Sequence, residues 1–140
     1  MSHTPFDLQT LSQATGPKVF ARGEAYAEQG HVAIVDVEDD AVLAHVEGSE
    51  TYSVALTPSA GTGNCTCPAF EDWAVCKHLV ATAIVYNDLG PAQIRRAHGR
   101  IAKLRQGLGL DTREALIERL VDLARRQPQV LAALEGEREA

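Results

Sequence analysis

The chain has 140 residues, enough for one domain or for one compact domain with a helical appendage. Its 45% hydrophobic content suffices for a core, and with only 5% aromatics that core is aliphatic. A formal net charge of −6 argues against wholesale coating of nucleic acid, because the average field repels phosphate.

Thr4-Pro5 has the form of a helix start, with Phe6, Leu8 and Leu11 as apolar contacts. After Gly16-Pro17, a second helix is expected over Lys18 to Gln29, with Gly30 placed to end it in a left-handed conformation. The period then changes to that of strands. His31 to Val37, Ala41 to Glu47 and Thr51 to Leu56 are apolar-alternating runs separated by turn signals at Asp39-Asp40 and Gly48-Ser49. Three such runs predict an antiparallel meander. Thr57 to Asn64 reads as a polar loop, and the cysteines follow. Lys77 to Leu89 is helical by period and closes at Gly90-Pro91. Ala92 to Arg105 reads as a helix with a basic face, and Asp111 to Glu114 has the spacing of a capping box for a helix running to about Arg126. Pro128 interrupts that helix, and a frayed end is expected after it.

No apolar run reaches membrane-spanning length. Met1 to Thr10 lacks the basic start and apolar stretch of a signal peptide, so a cytoplasmic location with reduced thiols is expected. The charge is unevenly spread. Residues 1–90 hold Lys18, Arg22 and Lys77 against twelve acids, whereas residues 91–126 hold nine basic residues against four acids. Any phosphate-binding surface is therefore expected in the third quarter of the chain.

All three cysteines lie within Cys65-Thr66-Cys67-Pro68 and Cys76-Lys77-His78-Leu79, with eight residues between Cys67 and Cys76. In extended backbone, residues two apart point to the same side, so Cys65 and Cys67 can present both sulfurs to one point. Cys76 and His78 would lie about 200° apart within a helix. They converge only if Cys76 precedes the helix, which predicts a helix start near Lys77. The positive end of a helix there favours the thiolate that zinc requires. Three thiolates and one imidazole complete a tetrahedron of soft donors suited to Zn²⁺, and a filled shell makes the site structural, with no position left for a reacting water. Two other readings exist. The thiols can be small buried residues with His78 a satisfied histidine, or Cys65 and Cys67 can be a redox pair. The first leaves the two-plus-two clustering unexplained, and the second leaves the C-x-H half unexplained.

The pattern C-x-C-x(n)-C-x-H, with Lys77 between the last two ligands and Leu79 after them, resembles the SWIM zinc finger. Phe20, Gly23, Tyr26, Gly30 and Val32, then Ala44, Val46, Gly48, Tyr52 and Val54, resemble the segment preceding the finger in bacterial members. The likeness covers about residues 18 to 86. It implies zinc ligation by Cys65, Cys67, Cys76 and His78, and contact with DNA or with proteins such as a helicase-like ATPase. No phosphate-binding loop is present in this chain, so it is not expected to be that ATPase.

Three functional classes follow. Arg95, Arg96, Arg100, Lys103 and Arg105, with His98 nearby, form an acid-free basic stretch, and Arg96, Arg100 and Lys103 have the i, i+4, i+7 spacing of one helix face that can follow a phosphate backbone. Against this, a solvated amphipathic helix would bury Ile94, Ala97, Ile101, Leu104 and Leu108, and its charges could also pair with the acidic N-terminal half. Leu116, Ile117, Leu120 and Leu123, then Val130, Leu131 and Leu134, suit either a helical core or docking to a protein. A zinc enzyme would need an open metal position and an adjacent carboxylate, for which Glu71 and Asp72 are the only nearby candidates, and a solvated turn explains them.

The sequence thus predicts an α+β protein: N-terminal helices, a three-stranded antiparallel sheet, a zinc-tied loop and helix, then C-terminal helices. Residues 1–90 are expected to form the zinc-binding domain and residues 91–140 a helical extension. The expected role is that of a non-enzymatic binding module, accessory to a nucleic-acid-handling assembly, or alternatively a pure protein adaptor. No membrane contact is expected.

Overall fold

The computed structural model describes residues 5–67 and 76–139, with side chains to residue 136. Those residues form seven helices and a four-stranded antiparallel sheet. The chain divides into two compact units, Met1–Arg100 and Ile101–Ala140.

Helix α1 (Leu8–Thr15) starts later than the Thr4-Pro5 signal suggests. Asp7 is the cap. Its carboxylate accepts from the Thr10 amide at 3.1 Å and the Thr10 hydroxyl at 2.7 Å, satisfying amides that the helix leaves unpaired. Thr4 lies outside the described residues. Helix α2 (Pro17–Glu28) opens on Pro17, and Gly30 follows it with φ 76°.

Strands β1 (Val32–Glu38), β2 (Ala41–Glu47), β3 (Thr51–Thr57) and β4 (Thr62–Cys65) pair in sequence order. The apolar face read for β3 is realised in Tyr52, Val54 and Leu56, all buried; in β2 the expected Val42 and Val46 are buried, but Ala44 takes the inward place between them and Leu43 lies on the other face, half-buried. In β1 the register slips between Ile34 and Asp36, leaving Val35 as an extra residue. This bulge explains why the strand's inward positions change from even to odd numbers, with Val37 buried.

The expected three-stranded sheet is one strand short. Residues 62–65, inside or adjoining the stretch read as a polar loop, pair with β3, placing Thr62 opposite Thr57 and Cys65 opposite Val54. Thr-Gly-Asn carries no apolar alternation. It becomes a strand because the Pro58–Ala60 turn and Gly61, at φ 66°, fold it back onto an edge already formed.

Helix α3 (Lys77–Asn87) packs between α2 and the sheet. Leu79, Val80, Ala81, Ala83 and Tyr86 are buried around its circumference, as a helix covered on two sides requires. Asn87 anchors the N-terminal segment to its end, accepting from the Phe6 amide at 2.8 Å and donating to the Phe6 carbonyl at 2.9 Å.

The expected helix 92–105 is two helices, α4 (Pro91–Ala97) and α5 (Arg100–Leu108). Between them Gly99 adopts φ 64° and donates to the Val37 carbonyl at 3.2 Å, so a strand edge captures the backbone and interrupts the helix. Only a residue without Cβ takes that conformation readily. Helix α6 (Arg113–Arg126) is capped by Thr112, whose hydroxyl accepts from the Ala115 amide. Asp111, the expected cap, instead binds Arg119 at 2.8 Å. The residues after Gln127, expected to fray, form α7 (Pro128–Glu139), which packs on α6. No helix among the described residues is long and apolar enough to cross a membrane.

Candidate metal centre

The four sequence-predicted ligands come together. The ligand atoms of Cys65, Cys67, Cys76 and His78 lie within 4.8 Å of one another, and all four residues are buried. Cys65 ends β4, and Cys67 follows it two residues on. Thr66, between them, is strapped to β3: its amide donates to the Ser53 carbonyl at 3.1 Å, and its hydroxyl accepts from the Ser53 amide at 3.0 Å. With Thr66 held outward on the sheet edge, both cysteine sulfurs turn inward.

On the opposite side, Cys76 occupies the N-cap of α3 in extended conformation (φ −134°, ψ 167°), and Lys77 is the first helical residue. The helix start required by the C-x-H spacing is therefore present. Because Cys76 lies outside the helix, its sulfur and the imidazole of His78 reach the same point.

The donors are spaced closely enough to converge on one ion, and one edge matches a tetrahedral site. Bonds of about 2.3 Å to sulfur and about 2.0 Å to nitrogen imply ligand–ligand edges of roughly 3.6–3.8 Å. The Cys65 Sγ to His78 Nδ1 distance is 3.8 Å. His78 thus presents Nδ1 to the sulfurs, while its buried Nε2 has no hydrogen-bond partner among the described residues. The imidazole is held by rings. Tyr52 stacks at 4.7 Å with a 33° tilt, and Tyr26 meets it edge-on at 5.4 Å. Lys77 Nζ lies 4.9 Å from the centre of the Tyr26 ring, so the cation between two ligands rests on an aromatic face beside the centre.

The thiols also compete for a proton. The hydrogen bond from Cys76 holds Cys65 below its usual range, and the same bond, with burial, pushes Cys76 up to about 12. The Cys67 amide adds a weak donor to Cys65 Sγ at 3.5 Å. A divalent cation at the centre would replace the shared proton and compensate the buried thiolates together.

Residues 34–87 match the family model of the SWIM zinc finger. This stretch is a SWIM-type zinc finger domain. The matched span runs from β1 to the last residue of α3, and its Cys₃His set accommodates one structural zinc ion. Comparisons with curated proteins and with solved structures give no match. A SWIM finger is a binding module, and a metal held by these four ligands would join the β4 edge to the start of α3.

Sequence reading left the supports of the finger without a role. Gly23, Tyr26, Gly48 and Tyr52 resemble family positions, and the structure supplies reasons for them. A Cβ on Gly48 would stand 3.0 Å from Tyr52 Cε2 and 3.2 Å from His78 Nε2, so a larger residue would push on the ligand itself. Tyr52 was detectable as an inward position of β3, but its ring's contact with His78 depends on how α3 crosses the sheet.

The basic residues are arranged differently from the expected single helix face. Arg95 and Arg96 lie on α4, whereas Arg100, Lys103 and Arg105 lie on α5 beyond the Gly99 break. All five are exposed, and none forms an ion pair among the described residues. Of the apolar positions expected to be buried beside them, only Ala97 is; Leu104 is 56% exposed. Glu71 and Asp72 lie outside the described residues.

Proposed function

We propose that the chain is a non-enzymatic, zinc-organised binding module that contacts nucleic-acid phosphates through Arg95, Arg96, Arg100, Lys103 and Arg105, as an accessory to a larger nucleic-acid-handling assembly. In this reading residues 1–90 are the zinc-binding domain and residues 91–140 the extension that carries the contact. The observation supporting it is that five exposed cations remain without ion pairs among the described residues of a chain whose net charge is −6. No acid occurs between Asp88 and Asp111, so no neighbour in the sequence screens these cations from phosphate.

Short duplex and single-stranded DNA, titrated over a salt series, test this. Binding is expected to weaken steeply with salt. Changing Arg95, Arg96 and Arg100 to Gln together should reduce the slope of log K against log salt by up to about 2.7 on duplex, if each neutralises one phosphate. Absence of binding to DNA and RNA at low salt overturns the reading. The alternative is a protein adaptor without nucleic-acid contact. It is favoured by the apolar side chains exposed in the C-terminal unit, among them Leu104, Leu110 and Ile117.

A further inference from the structure

We infer that α6 is a self-association surface on which two copies of the chain pack antiparallel, about a two-fold axis near Leu120. This inference goes beyond the nucleic-acid reading and depends on neither that reading nor the zinc.

No residue from Ile101 to Gly136 is buried, so the helices of this unit do not enclose their own apolar side chains. The largest deficit is on α6. Ile117 is 49% exposed, Leu120 45%, Val121 36% and Leu123 36%, although α7 packs against the same helix. At 100° per residue, Leu123, Leu116, Leu120, Ala124, Ile117 and Val121 fall in that order on one stripe about 160° wide, which only Arg113 of the first turn interrupts. A solitary helical hairpin would leave this stripe in water.

The charges beside the stripe select the occupant. Glu114 is in the first turn of α6, and Arg125 is in the last. Eleven residues apart, they stand about 20° from each other around the helix and so share one edge of the stripe. A two-fold axis midway between them brings Glu114 of each copy opposite Arg125 of the other, giving two equivalent ion pairs. The same operation places Leu116 opposite Leu123 and brings the two Leu120 side chains together at the axis. The apolar and ionic registers therefore coincide, as a self-complementary interface requires.

The other edge carries Arg119, which would face its own symmetry mate near the axis, and Arg126, which would face Arg113 of the other copy. Each is already neutralised within its own copy, Arg119 by Asp111 at 2.8 Å and Arg126 by Asp122 at 2.7 Å. A parallel arrangement would instead set this edge against the other edge of the second copy, placing Arg125 beside Arg126, with the helix dipoles aligned unfavourably.

Sedimentation equilibrium of the full zinc-loaded chain tests the proposal. A reversible dimer of twice 15.1 kDa is expected. Leu120→Asp should leave a monomer with unchanged helix content by circular dichroism. Glu114→Arg and Arg125→Glu, each alone, should weaken the dimer by about tenfold, and the two together should restore it. Both positions are exposed, so these reversals remain informative even if Leu120→Asp disturbs folding. A chain that stays monomeric at every concentration overturns the proposal and assigns the stripe to a different protein. A dimer that survives Leu120→Asp, or single charge reversals that do not rescue one another, overturns it as well.

Discussion

Replacing Gly23 with alanine tests how the zinc-bearing helix is seated. Gly23 is buried on α2 where that helix crosses α3. A Cβ built there would stand 2.5 Å from Val80 Cβ and 3.1 Å from the Lys77 carbonyl oxygen, and would collide with Val80 Cγ1. Carbon atoms in contact rest about 3.5–4.0 Å apart, so the two helices would have to separate locally by about 1 Å or more. Rotating Val80 cannot relieve the clash, because its Cβ is placed by the backbone and its side chain is fully buried. Overpacking of this kind costs about 1–3 kcal/mol. Alanine is the better helix former by up to about 1 kcal/mol, which opposes the loss. The collision involves a backbone-fixed atom, so the cost belongs near the top of its range, and a net destabilisation of about 1–2 kcal/mol is expected. Urea unfolding of the zinc-loaded protein should show the midpoint falling with little change in slope. Adding Val80→Ala should make the double variant more stable than the sum of the single losses, since the two changes share one space. If Gly23→Ala is as stable as the parent or more so, α2 does not approach α3 this closely and the reasoning fails.

Two further outcomes concern the metal and the N-terminal clamp. Metal analysis should give about one zinc per chain, lost in Cys76→Ser, and chelation should lower the melting temperature. Binding must displace thiol protons, including that of Cys76, whose metal-free value is pushed up to about 12. Zinc affinity should therefore weaken as pH falls, and zinc binding should release protons, as measured in differently buffered calorimetric titrations; a pH-independent affinity would contradict thiolate ligation. Asn87→Ala removes both hydrogen bonds to Phe6, which is only 2% exposed, and should cost about 1–3 kcal/mol in denaturant unfolding. A change below about 0.5 kcal/mol would mean that the Phe6 segment is not held by this clamp.

Local chemistry made some features legible and left others hidden. The ligand set could be read because C-x-C and C-x-H each impose a backbone on their own residues: extended for the first, a helix start for the second. Both backbones are present, with Cys65 closing β4 and Cys76 capping α3. The inner face of β3 was equally legible from alternation, whereas in β2 the apolar Leu43 masked the inward place of the smaller Ala44. The fourth strand was not, because Thr62, Gly63 and Asn64 have no periodicity of their own and acquire pairing only from β3. The continuous basic helix failed for a related reason. Gly99 is tolerable inside a helical pattern, but the Val37 carbonyl offers its amide a bond that ends the helix.

The sequence by itself determined the metal chemistry, since donor type and two-residue spacing are properties of short stretches of chain. It also determined that the cations would concentrate late in the chain, because charge is read directly from composition. Only the tertiary structure decided what surrounds those groups. Tyr26, Gly48 and Tyr52 meet at His78 because α2, the β2–β3 connection and β3 converge on α3, and that convergence depends on contacts between residues distant in sequence. It likewise decided that the helix bearing Leu120 keeps an apolar stripe uncovered, because whether a side chain is buried depends on which neighbour packs over it, and periodicity alone names no neighbour.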